Sequence, residues 1–144
     1  MIREASQEDL SGLLELYLFL HEDSVPEDGT RLRETWRQIM ADSNHHIIVD
    51  EEGGQIVASC VCVVVPNLTR NVRPYALIEN VVTHAAFRRH GRGTACLNRA
   101  VEIARGAGCY KVMLLTGAKD EVTLDFYRRA GFNSADKTAF ICWL

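Results

Sequence analysis

Phe87-Arg88-Arg89-His90-Gly91-Arg92-Gly93-Thr94 brings two closely spaced glycines together with three arginines and a histidine. The segment lies between a β-like run ending near Thr83 and an amphipathic helical pattern from about Thr94 to Ala107. A strand that feeds a glycine-bearing turn and then opens a helix leaves main-chain N–H groups unpaired at the positive end of the helix dipole. A phosphate group binds well there. Gly91 and Gly93 permit close backbone approach, while Arg88, Arg89 and Arg92 add positive charge around the same turn. Two other phosphate loops are excluded. A P-loop places Lys and then Ser/Thr after its last glycine, and here Gly93 is followed by Thr94-Ala95; a dinucleotide fingerprint wants a third small residue at Cys96 and an acidic residue at the end of a second strand about 20 residues on.

The other reactive side chains point to packing. Five cysteines stand at positions 60, 62, 96, 109 and 142, with no Cys-x-x-Cys pair and no histidine at ligand spacing. Cys60 and Cys62 alternate within Val57 to Val65, so they share one strand face as small apolar fillers, reduced and buried. Nothing near any of them would depress a thiol pKa. His45 and His46 are adjacent and cannot share a strand face, so no metal is expected.

These residues need a scaffold. Met1 to Ala5 reads as a short strand, and Ser6-Gln7-Glu8-Asp9 as a helix-capping signature before Leu10, Leu13, Leu14, Tyr17 and Leu20 at helical spacing. Pro26, Asp28 and Gly29 mark a break, after which Leu32, Trp36, Ile39 and Met40 give a second apolar face to about Ala41. Residues 46–50 and 55–65 are β-rich runs joined by Glu51-Glu52-Gly53-Gly54, a hairpin turn. A strand follows over 76–83, then the glycine loop and a helix with Leu97, Ala100, Val101 and Ala104 on one face. A short buried strand over 111–115, a helix over 120–130 closed by Gly131, and a last strand over 138–143 complete the chain. The order β-α-α-β-β-β-α-β-α-β predicts an α/β (α+β) fold, a mixed sheet with helices on both faces.

With 144 residues, the chain is expected to form a single domain, 1–144, large enough to bury about two thirds of its unfolded surface. A net charge of −3 argues against a nucleic-acid surface, and no apolar run approaches the ~18 residues of a membrane span. Arg3-Glu4 stands where the apolar stretch of a secretory signal belongs, so a cytoplasmic location is expected.

The spacing Arg88-x-x-Gly91-x-Gly93, preceded by Ile78-Glu79-Asn80-Val81-Val82-Thr83, resembles the acyl-CoA pyrophosphate loop of the GNAT N-acetyltransferase superfamily. Further along, Phe126-Tyr127-Arg128-Arg129-Ala130-Gly131-Phe132 is similar to that family's second signature, an aromatic pair followed by Gly-Phe. From Leu77 onward the local resemblance is closest to glucosamine-6-phosphate N-acetyltransferases, through Ile78-Glu79, Val81-Val82, Gly108-Cys109-Tyr110-Lys111 and the aromatic signature. On the acceptor side, Cys142 stands where those enzymes carry a basic residue, and Ala76-Leu77 replaces their Lys-His pair.

The resemblance implies the GNAT fold, with about six or seven strands and about four helices, and acetyl-CoA as co-substrate. Arg88, Arg89, His90, Gly91, Arg92, Gly93 and Thr94 would hold its diphosphate, and Val81 and Val82 its pantetheine arm. A main-chain N–H of Val82 or its neighbour would meet the oxyanion. Thr123 occupies a place where many relatives carry Asn, and would keep one cofactor hydrogen bond. An alkylamine of pKa about 10.4 is only ~1 part in 2500 deprotonated at pH 7, so a base is needed, and Glu79 is the candidate, directly or through water. Strand alternation would put it on the face of Val81. Tyr127 matches the tyrosine beside the departing sulfur; a phenol of pKa about 10 giving its proton to a thiolate of about 8.5 is uphill by roughly 2 kcal/mol. The acceptor is expected to be a primary amine on a small molecule (amino sugar, polyamine or amino-acid-like), with specificity set between the first two helices, and a homodimer is expected by family habit. Two alternatives stay open: a peptide or protein N-acetyltransferase, and a non-catalytic acyl-CoA-binding module.

Overall fold

Ile47, Ile48 and Val49 are consecutive and all buried, as are residues 56–62, so these two strands are covered on both faces. The computed structural model describes residues 1–144 and divides them into two units, Met1–Leu114 and Leu115–Leu144. In the first unit, β1 (Ile2–Glu4) leads through a 3-10 turn to α1 (Leu10–Tyr17) and α2 (Thr30–Ala41). Then come β2 (His45–Glu52), β3 (Gln55–Val65), the single turn α3 (Thr69–Val72), β4 (Tyr75–Thr83), α4 (Arg92–Gly106) and β5 (Val112–Leu114). The sheet runs β1-β2-β3-β4-β5 in space; the first four strands are antiparallel and β5 is parallel to β4. A parallel neighbour requires a crossover, and α4 supplies it.

Residues of alternate phase reach opposite faces of this sheet. Leu13 and Leu16 of α1 and Trp36 of α2 pack with Ile47, Val49, Ile56, Val61 and Val82 on one face. Ile48, Cys60, Cys62 and Ile78 belong to the other by register, and Cys62 Sγ lies 3.8 Å from Ala100 O of α4. Cys96, Ala100 and Ala104 are fully buried along α4, small enough to bring the helix close to the strands. Complete burial of Leu13, Leu16 and Leu97 stabilises the unit by about 2–3 kcal/mol each on area grounds. The Ser6 signature forms as read: Ser6 N and Oγ both donate to Asp9 Oδ2, at 2.6 and 3.0 Å. Asp9 also receives the Arg3 guanidinium at 2.7 and 2.9 Å, which holds its carboxyl well below the usual range.

The second unit holds α5 (Glu121–Arg129), capped by Asp120, whose Oδ2 accepts from Thr123 N at 2.9 Å. Gly131 follows it with φ 96°, a left-handed stop that glycine alone adopts without strain. The expected last strand over 138–143 is absent. A strand is defined by its ladder, and residues 138–144 make no backbone–backbone hydrogen bond, leaving Phe140, Ile141, Trp143 and Leu144 exposed. The sheet accordingly has five strands in place of the expected six or seven.

Candidate cofactor and active site

β4 changes character halfway along. Val61 pairs with Glu79 and Ser59 with Val82, so two strand positions on β3 face three steps on β4: Asn80 and Val81 form a bulge opposite Cys60. Asn80 takes φ 52°, a left-handed conformation that asparagine tolerates better than the surrounding valines would. Burial pushes the pKa of the Tyr17 hydroxyl on α1 up, and the neighbouring Ser59 and Asn80 side chains offset part of that rise. The bulge shifts the side-chain phase by one. Glu79 therefore shares a face with Val61 and Val82, the α1 and α2 side, and the expected alignment with Val81 is corrected. Its carboxylate is exposed.

Beyond the bulge β4 loses its outer neighbour. β5 pairs with β4 only at Ala76, Leu77 and Ile78. Ala76 N donates to Lys111 O at 3.0 Å, whereas at the far end His84 N donates to Val57 O at 2.9 Å. Counting back by twos from His84, Val82 turns its N–H towards β3, while Val81 and Thr83 turn theirs to the edge that β5 leaves uncovered.

That free edge leads directly into the glycine loop. His84, flanked by the rings of Phe19 at 4.4 Å and Phe87 at 5.4 Å, accepts from Ala86 N and starts the turn. Arg88 Nε donates to Thr83 O at 3.2 Å, folding the loop back on its strand. Arg89 has φ 62°, and Arg89 and His90 are exposed without side-chain partners. Gly91 is the N-cap of α4 with φ 76°, no side chain caps the helix, and no atom lies within 4 Å of where a Cβ would stand. The first bond into the helix is Ala95 N to Gly91 O, at 2.9 Å. The N–H groups of Arg92, Gly93 and Thr94 thus have no partner in the protein. Open space, three free donors and the free ends of Arg88 and Arg89 fit a diphosphate. Arg92 differs from its neighbours: Nη1 meets Asp50 Oδ2 at 3.0 Å, and Nη2 is paired with Glu52.

The family model of the Acetyltransferase (GNAT) family matches residues 10–132, most of the chain. The chain belongs to the GNAT acetyltransferase family. It is 32% identical over 142 residues to the glucosamine 6-phosphate N-acetyltransferase of Trypanosoma brucei brucei, covering 94% of this chain and 90% of that one. A solved protein of Agrobacterium tumefaciens superposes with a TM-score of 0.92 at 43% identity, over 100% and 99% of the two chains. The glucosamine-6-phosphate N-acetyltransferase of Arabidopsis thaliana gives 0.84 at 25% identity, over 100% and 97%. The protein is therefore an acetyl-transferring enzyme of a family that uses acetyl-CoA.

In the second unit of this acetyltransferase, Tyr127 is half-buried on α5 with its ring 4.9 Å from that of Phe126. Thr123 donates its amide to Asp120 Oδ2 at 2.9 Å, so its main chain is engaged in the helix cap. Burial raises the Cys62 thiol to about 11 and the Cys96 thiol to about 12, and lifts Cys60 further still. None of these is a nucleophile at neutral pH. Lys111 stands over the rings of Tyr75 and Tyr110, at 5.5 and 5.3 Å. His46 bonds Glu4 Oε2 at 2.9 Å. No helix is long and apolar enough to cross a membrane.

Sequence reasoning missed Asp50, Glu52, Asn80 and Tyr17. Asn80 carried a signal, an amide that with Glu79 interrupts an apolar strand, and Asp50 read only as the polar end of one.

Proposed function

We propose that this enzyme moves the acetyl group of acetyl-CoA to a primary amine of a small molecule by direct attack of that amine. One observation carries the reading: the uncapped N-terminus of α4 adjoins the uncovered edge of β4, a diphosphate cradle continuous with a strand that an amide-rich arm can join. Acetyl-CoA supplies the activated thioester. Arg92, Gly93 and Thr94 hold its diphosphate by main-chain N–H groups, beside the open turn at Gly91 and assisted by Arg88, Arg89 and His90. Val81 and Thr83 pair with the pantetheine arm, and the N–H of Val81, which alternation aims outward, is a better donor to the carbonyl oxygen than that of Val82. Val82 instead anchors the strand in the core.

Glu79 takes the amine's proton, directly or through a water, from its exposed position beside the bulge. Tyr127 gives a hydrogen bond or a proton to the leaving thiolate; this role rests on the family signature. Direct attack is favoured over an acyl-cysteine route because burial suppresses the thiolates of Cys60, Cys62 and Cys96. The acceptor class is drawn from the named relatives. Ala76 is fully buried and Leu77 is uncharged, so the basic pair of the sugar-phosphate enzymes has no counterpart here. Free buried thiols agree with a cytoplasmic setting.

A thiol-release assay with amino sugars including glucosamine 6-phosphate, polyamines, amino acids, aminoglycosides and Lys-containing peptides tests this reading. Release with at least one small amine is expected. Release with peptides alone would transfer the activity to proteins, and binding of acetyl-CoA without release on any amine would make the chain a non-catalytic module.

The same reading includes a homodimer. It is supported by the tail of the second unit, where Phe140 is 91% and Trp143 85% exposed, more apolar surface than a solitary tail gains by holding in water. Sedimentation equilibrium should give twice the chain mass of 16.2 kDa, and a mass of one chain at micromolar concentration would refute the dimer.

A further inference from the structure

The three arginines of the glycine loop have different surroundings. Arg88 and Arg89 keep free guanidinium N–H groups, but Arg92 is bound between Asp50 and Glu52 on the β2 side of the hairpin. Arg92 is the first residue of α4, where a cation opposes the helix dipole. Two carboxylates more than cancel its charge. Asp50 is buried, its side chain 4% exposed, and its second oxygen accepts from the Met1 amine at 2.9 Å. Burial, the largest influence on its carboxyl, pushes the pKa up, yet these cationic partners take it below the ordinary value. The carboxylate is therefore ionised and fixed.

Its place in the sheet matters as much as its charge. Asp50 pairs with Ala58, and Ala58 with Thr83, so Asp50 lies in the sheet row of the last residue of β4. Arg88 is tied to Thr83 O in that row, and Arg92 to Asp50. Both ends of the loop are anchored on one row of the sheet, and the exposed stretch from Arg89 to Gly91 spans the gap. The free amides of Arg92, Gly93 and Thr94 are directed by the second anchor.

We infer that Asp50 is a positioning residue for the cofactor: through the Arg92 guanidinium it fixes the first turn of α4, and that guanidinium serves as the strut and makes no contact with the diphosphate, which the Arg92 main-chain N–H meets. This rests on the reading of the loop as the diphosphate cradle. The two roles for Arg92 give opposite signs on mutation. If Arg92 is a strut, Asp50→Asn loosens the amides and weakens binding. If Arg92 grips phosphate, removing a competing carboxylate frees it and leaves binding as tight or tighter.

The experiment is acetyl-CoA calorimetry across a KCl series on the native chain, Asp50→Asn, Arg92→Gln and the double variant, together with hydrogen exchange of the ligand-free proteins. Asp50→Asn and Arg92→Gln should each raise the dissociation constant about tenfold, as expected for loss of a charge-assisted contact. The double variant should be no weaker than the worse single variant. The salt dependence of Arg92→Gln should match the native slope, and the amides of residues 95–98, the first hydrogen-bonded ones of α4, should exchange faster in both single variants without ligand. Native affinity in Asp50→Asn, a shallower salt slope in Arg92→Gln, multiplying effects or unchanged exchange would each overturn the inference while the cofactor reading stands. A native chain that gives no heat with acetyl-CoA overturns both.

Discussion

Gly93→Val is expected to raise the dissociation constant for acetyl-CoA by about 10² or more. Gly93 is the second residue of α4, it is buried, and its N–H is the middle one of three that have no partner in the protein. A branched side chain there stands among the donors that an anion must approach. Hydrogen bonds to a charged acceptor contribute about 1.5–3 kcal/mol each, so losing one or two of them accounts for a change of this size. Calorimetry on the variant, with circular dichroism to establish that α4 has formed, reads the effect. Affinity within threefold of native would remove the loop from the cofactor site.

Tyr127→Phe is expected to lower kcat by about 10² and to leave the KM for acetyl-CoA nearly unchanged. The ring survives in the variant, and so does its contact with Phe126. What is lost is the hydroxyl, and with it the only proposed donor to a thiolate whose conjugate acid has a pKa of about 8.5. The effect should appear in single-turnover acetyl transfer as well as in steady state, because it belongs to the chemical step. Unchanged turnover would take Tyr127 out of the mechanism and leave thiolate departure to solvent.

The glycine loop and the strand before it were legible because their signals are local. A positive φ at Gly91, uncapped amides and a helix starting at Arg92 all follow from residues within a few positions of one another. The hairpin at Glu51 to Gly54 was equally plain, and Gly53 and Gly54 both adopt positive φ. Glu79 lies opposite Ile78, as alternation requires, but Val81 was wrongly given the same face. Period-two alternation contains no provision for an inserted residue, and Asn80 shifts everything after it by one.

Asp50 was invisible for a different reason. Its partner Arg92 is 42 positions away, and only the register of three strands brings the two together. The last strand failed on similar grounds: the Thr138 to Trp143 run has strand-like composition, but composition supplies no neighbouring ladder. Acceptor identity was not legible either, since Ala76 and Leu77 show what those positions lack without showing what replaces it.

The central claim is that the bare amides opening α4 receive a coenzyme's diphosphate. Its most direct test is a ¹⁵N–¹H spectrum of the native chain titrated with acetyl-CoA. Arg92, Gly93 and Thr94 should show the largest downfield amide proton shifts in the molecule, saturating together with the heat of binding. Saturable binding that leaves those three resonances in place, or no binding at all, would contradict the account.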